Sequence, residues 1–403
     1  MKLSLAKYSR KSFRFVEAGV RRGFYIYIIY IKQLKIRLAG LLPLLLLGLP
    51  AYAQLADLSK PIYVKWDYKT EGVTNLSPAA DDERVYLPLG DGSIISVSLA
   101  DGRLSWRSEI GGVISASPVV DAKNVYVASE SLPSPTSAYP QATGVLRALS
   151  RQSGLTSWMR TLPSPVRGVI NVNANHLFAS AADGRLYAIK KETGEIKWLK
   201  YNSTPFSFIH SLEGEALYIS DASGDIIAIE QEGGRTLWRY RTRKSLRAPV
   251  AVSANIVYSG TADGYVFAID RVSGRNKWRV RTGAAVQAVR ATEKCILATS
   301  LDNFIYCLAP QNGAKLWKRQ LAGRVVAPPL VFNGSVLVAP LVGDECVILN
   351  LDDGKKVNSI YVGEDNNTEA APLLTADMLL LTTREGLLAL TNQALKRPAE
   401  NAP

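Results

Sequence analysis

The chain carries few residues suited to metal or nucleophilic chemistry: two histidines, His176 and His210, and three cysteines, Cys295, Cys307 and Cys346, among 403 residues. Neither histidine has a cysteine or carboxylate at metal-ligand spacing, and H-E-x-x-H, C-x-x-C, G-x-S-x-G and Gly-rich phosphate loops do not occur. The sequence therefore names no catalytic residue, no metal ligand and no cofactor. Two sets of acidic residues remain as candidates. Asp183 and Asp263 recur in Ala-Asp-Gly, which is the chemistry of a tight hairpin before it is that of a general acid. Glu364, Asp365 and Asn366 in "GEDNNTE" hold oxygens for calcium, but without the ligand spacing of a dedicated calcium loop they read as a solvated connection.

Positioning these residues is the work of a repeat. "ADGRLYAIKKETGEIKW" (182–198) returns as "ADGYVFAIDRVSGRNKW" (262–278), and all seven tryptophans, Trp66, Trp106, Trp158, Trp198, Trp238, Trp278 and Trp317, fall in one series spaced 40, 52, 40, 40, 40 and 39 residues. A glycine stands four residues before each Trp from Trp106 on, as at Gly194 and Gly274. Another stands fourteen before, as at Gly144, Gly184 and Gly264, with Asn303 as the exception. Asn tolerates a left-handed backbone better than other non-glycine residues, so this position reads as a turn needing positive φ. Between the glycines lie short runs rich in aromatic and β-branched residues, such as "RLYAIK" and "NIVYSG", bounded by turn residues.

Each unit thus reads as four strands, and a four-stranded sheet repeated every 40 residues is a propeller blade. The seventh unit has Asp344 and Gly354 at its turns and Asn358 in place of Trp. The eighth has Gly386 at its hairpin and lacks a fourth strand. "PIYVKWDY" (61–68) is a Trp strand with no blade before it. The expected fold is all-β: an eight-bladed propeller of four-stranded antiparallel blades over residues 61–391, closed by pairing this N-terminal strand with the C-terminal blade, which removes free sheet edges. Residues 54–60 read as a short linker and 392–403 as a disordered tail. Cys295 and Cys307 fall on the second and third strands of the sixth blade, almost opposite across its hairpin, where a disulfide and a pair of buried thiols both fit. Cys346 reads as core.

The formal charge of +13 belongs to the leader. Residues 1–53 hold ten of the 48 Lys and Arg and one of the 35 Asp and Glu, so the rest carries 38 bases against 34 acids, with no polybasic signature for nucleic acid. Lys32, Lys35 and Arg37, then "LAGLLPLLLLGLP", then "AYA" have the parts of a secretory signal, with cleavage expected after Ala53. Two surface features exceed the repeat average. The second blade's hairpin grows by twelve residues into a loop carrying Leu132, Pro133, Pro135, Tyr139 and Pro140. "WRYRTRKSLRAP" (238–249) should project Arg239, Arg241 and Arg243 from one side of an outer strand, with Lys244 and Arg247 in the loop that follows. Leu132, Pro133, Pro135, Tyr139, Arg243, Lys244 and Arg247 are the candidate partner contacts.

The unit "ADGxxxAIxxxxGxxxW", with Pro opening the first strand, resembles the PQQ-like, quinoprotein-type β-propeller repeat, and eight short blades without large insertions look most like its BamB-type members. That resemblance implies a monomeric, non-catalytic periplasmic scaffold without cofactor. Its partner would be a POTRA-containing outer-membrane barrel assembly protein. The lipobox cysteine usual in that family is absent, "LPAYAQ" standing in its place, so membrane association would run through the partner. Quinoprotein dehydrogenases share the repeat and imply the alternative, an enzyme using pyrroloquinoline quinone, but no two cysteines here are adjacent as they are over that cofactor. A ligand-sensing envelope propeller is the third reading.

Overall fold

The computed structural model describes residues 57–131, 142–246, 248–376 and 378–393. The leader with its cleavage site, the loop from Leu132 to residue 141, Arg247 and the C-terminal residues from 394 lie outside them. The described residues form strands and no helix, arranged in eight sheets. Blade 3 shows the pattern: Asn171–Val172, His176–Ser180, Arg185–Lys190 and Ile196–Tyr201 pair in sequence order, all antiparallel. Its second strand is buried throughout, and its third is buried except at the two ends. Its fourth alternates between half-buried and exposed, because only the outer rim of a blade meets water. One residue before each Trp position the register slips, as between Ala188 and Ile189 opposite Ile196 and Trp198, and this bulge recurs in all eight blades. It strengthens the twist of the outer strand.

No blade has a core of its own. The buried apolar residues fall into eight clusters, and each spans two neighbouring blades. A two-faced sheet buries its apolar surface only between two others, so the ring has to close. Closure is made by Tyr63–Lys69, which pairs antiparallel with Gly386–Thr391 from Tyr63 opposite Thr391 to Lys69 opposite Gly386.

The seam between blades 7 and 8 differs from the other seven. The segment read as a linker is packed into the ring over its described part. Leu58 is fully buried among Leu337, Ile348, Leu379 and Leu390. Asn358 donates from Nδ2 to the carbonyls of Leu58 (3.0 Å) and Lys60 (2.7 Å). Asn392 donates to the carbonyls of Asp57 and Pro61 and accepts from the Asp57 amide. Asn358 replaces Trp because no turn joins the last two strands of blade 8. In that place lies the N-terminal segment, whose open carbonyls need donors.

One glycine departs from the expected geometry. Gly184 and Gly264 have φ of 84° and 90°, and Asn303 follows at 63°. Gly144, by contrast, sits inside the strand Thr143–Ser150 opposite Glu130, without positive φ. In blade 2 the ladder runs on past this position to Ser131 opposite Thr143. Glycine is still required there by contact, since a Cβ would stand 2.6 Å from the Ser164 carbonyl oxygen.

Candidate functional site

The Trp and Gly of the repeat meet across blades. Each indole lies against the glycine four residues ahead of the next Trp, or for Trp317 of Asn358: a Cβ on Gly194 would come within 2.6 Å of the Trp158 ring. Each Nε1 donates to a carbonyl of the next blade, from Trp66 to Leu99 (2.9 Å) through Trp198 to Gln231 (2.8 Å) to Trp317 to Leu351 (2.9 Å). A second clasp was missed in the sequence. The residue two after Trp donates to the carbonyl of that same glycine at four seams, from Ser108, Arg160, Lys200 and Arg319 to Gly154, Gly194, Gly234 and Gly354. Its signal was a polar or basic residue at a fixed offset. This constellation binds blades to one another and presents no group to a substrate.

Hairpins between second and third strands share one end of the ring with the connections between blades, and of the partner-contact candidates the two described ones, Arg243 and Lys244, lie in such a connection. Lys244 reaches Asp263 of the next blade's hairpin at 3.5 Å. Arg243 is not on the outer strand, which ends at Arg241. It sits in the connection with φ 61°, because the chain must turn there towards blade 5. Arg239 and Arg241 do lie together, and both face Asp225, at 2.9 and 3.8 Å. Arg239 also donates to Asn202, which in turn donates to Asp221. Burial works to raise the Asp221 carboxyl, but hydrogen bonds from Ser223, the Asp225 amide and Asn202 outweigh it and hold the group below its ordinary value. Leu132, Pro133, Pro135, Tyr139 and Arg247 lie outside the described residues.

The innermost strands line an axial cavity of about 800 Å³. Its wall is built from backbone and small or apolar side chains such as Ser77, Ser117, Val169, Val250 and Ala327, and its charges among the described residues are Arg290 and Glu369. No group of three or more His, Cys, Asp or Glu suited to a metal occurs among the described residues. Asn366 is used at both ends by backbone, donating to the Val362 carbonyl and accepting from the Glu385 amide, and Asp365 accepts from the Gly343 amide at 3.4 Å. His210 lies on the innermost strand of blade 4, opposite Ile219. His176 is a buried strand residue with Nδ1 3.6 Å from Glu232. Cys295 and Cys307 form a disulfide with Cα atoms 5.7 Å apart. Leu297 is the residue directly opposite Cys307, so the bond runs diagonally across the hairpin. Cys346 is a free thiol, buried beside Asn367 and pushed up to about 12 by burial.

Comparison with known proteins places this ring. The family profile described as outer membrane protein assembly factor BamB matches residues 90–211, 200–298 and 288–395. The crystal structure of BamB from Moraxella catarrhalis superposes with a TM-score of 0.69 at 14% identity, over 82% of this chain and 99% of that one. Quinohemoprotein alcohol dehydrogenase from Comamonas testosteroni gives 0.67 at 11% identity, over 87% and 79%. At such identities both similarities speak for the fold alone. A stretch of 120 residues is 26% identical to tetrathionate hydrolase of Acidithiobacillus ferrooxidans, covering 30% of this chain and only 21% of that protein's length. With its profile running from blade 1 to blade 8, the chain belongs to the family of outer membrane protein assembly factor BamB.

Proposed function

We propose that this chain is a non-catalytic periplasmic scaffold that binds the POTRA-containing barrel assembly protein and assists the assembly and insertion of outer-membrane β-barrel proteins. Family membership across the blades carries this reading. The cavity wall supports it, since one arginine and one glutamate among its described residues are a thin set for holding a quinone and a divalent cation. In this reading residues 1–53 export the chain and are removed after Ala53. Association with the membrane in this reading runs through the partner.

Affinity purification of the tagged chain from detergent-solubilised envelopes, with mass spectrometry of what accompanies it, tests this directly. Recovery of a POTRA-bearing barrel protein is the expected result. A chain that purifies alone, and whose melting temperature rises with pyrroloquinoline quinone and calcium, would instead make it a quinoprotein.

A further inference from the structure

Blades 4 and 5 repeat one arrangement with one decisive difference. Each outer strand carries Arg-x-Arg directly after its Trp, Arg239 and Arg241 in blade 4 and Arg279 and Arg281 in blade 5. Each pair stands opposite the start of its blade's third strand, with Arg241 paired to Asp225 and Arg281 to Tyr265. In blade 4 the residue there is an aspartate, 6% exposed, and it forms ion pairs with both arginines. In blade 5 that position is Tyr265. Its ring lies under both guanidinium groups, at 5.5 Å from Arg279 and 5.8 Å from Arg281. Neither arginine has an ion pair or hydrogen bond among the described residues, and both are exposed. Asp263, two residues before Tyr265, is paired with Lys244, and Asp270 at the other end of that strand with Lys277. Tyr240 and Tyr265 both pack on Phe267, against the core shared by blades 4 and 5.

We propose that this exposed arginine pair is a docking site for an acidic side chain of a protein partner, whose carboxylate takes between Arg279 and Arg281 the place that Asp225 holds between Arg239 and Arg241. Cation–π contact with the Tyr265 ring holds both guanidinium groups beside one another and consumes none of their N–H donors, which stay open to a carboxylate. Blade 4 shows that one carboxylate suits two arginines so placed. The near balance of 38 bases and 34 acids after residue 53 argues against a surface built for a membrane or nucleic acid. This site deepens the scaffold reading by naming the chemistry of one partner contact.

The test uses the full chain and a fluorescein-labelled poly-glutamate peptide, read by fluorescence anisotropy. Binding should weaken as salt rises, and Y265D, which supplies the carboxylate from within as blade 4 does, should weaken it at least about tenfold. R279Q/R281Q, at two exposed positions, should do the same and serves if Y265D fails to fold. Unchanged affinity in a folded variant overturns the site. So does binding to phosphatidylglycerol vesicles but not to the peptide, which would make the anion a lipid headgroup. In the envelope purification, Y265D should lose the barrel protein that the wild type recovers. Equal recovery overturns the site and leaves the scaffold reading standing, whereas no recovery by wild type removes the scaffold reading while the peptide titration still decides the site.

Discussion

Gly194 answers two demands at once, a backbone at φ 71° and room for the Trp158 indole. Alanine fails both. Gly194→Ala should cost about 2–4 kcal/mol from left-handed strain and overpacking, read as a lowered urea midpoint. Trp158→Phe, which removes the donor to the Lys191 carbonyl and part of the ring packed on Gly194, should cost about 1–3 kcal/mol. A midpoint unchanged in Gly194→Ala would mean the seam gives way freely. His176 sets an acid limit. Burial, with Lys197 beside it, holds its pKa below the ordinary value, and Glu232 pulls weakly the other way. The unfolded chain takes up its proton near pH 6.5 while the folded one does not, so this contribution is whole above that pH and is lost as pH falls below it. His176→Ile copies the residue at the matching position of blades 5 and 6, Ile256 and Ile296. It should lose less stability than wild type between about pH 7.5 and about pH 5.5; equal losses would exonerate the histidine.

Within a blade, elements are tied by ladders and, in blade 6, by a covalent bond. The disulfide closes a separation of 12 residues inside the cluster shared by blades 6 and 7. Cys295→Ala with Cys307→Ala should therefore lower stability by about 2–3 kcal/mol. Alkylation of the chain unfolded without reductant should label Cys346 alone; three labels would refute the bond. The enlarged hairpin of blade 2 behaves as an addition to a finished element. Its ladder stays paired up to Ser131 opposite Thr143, so the ends to be joined are already adjacent. Replacing residues 132–141 by Asn-Gly, which with Ala142 makes a three-residue loop, should leave the stability within about 0.5 kcal/mol of wild type. It should also weaken capture of the barrel protein. Unfolding of this variant, or undiminished capture, would exclude the loop as a contact.

At the scale of the ring, seven seams are fastened by Trp on Gly and one by amides on an N-terminal segment. Blade 8, which borders that seam, is the one place where the polypeptide does not run on from third to fourth strand, so it should open first. Leu58→Ala, which empties a fully buried site, should cost about 2–4 kcal/mol. Hydrogen exchange should then show Tyr63–Lys69 and Gly386–Thr391 losing protection ahead of the other blades. Uniform loss around the ring would show that closure adds no weak point.

The sequence by itself determined the blade count, the four strands of each blade and the pairing of the first strand with the last unit. Those properties rest on a period of about 40 residues and on turn residues that act locally. It could not determine the partners of Asn358, which are carbonyls about 300 residues away, nor why Gly144 must be glycine. It left open a disulfide against two thiols at Cys295 and Cys307, and it did not reveal that Asp225 and Tyr265 give the same Arg-x-Arg opposite surroundings. Each of these depends on which faces the twist and the curvature of the closed ring press together, and such contacts leave no spacing in the chain from which to read them.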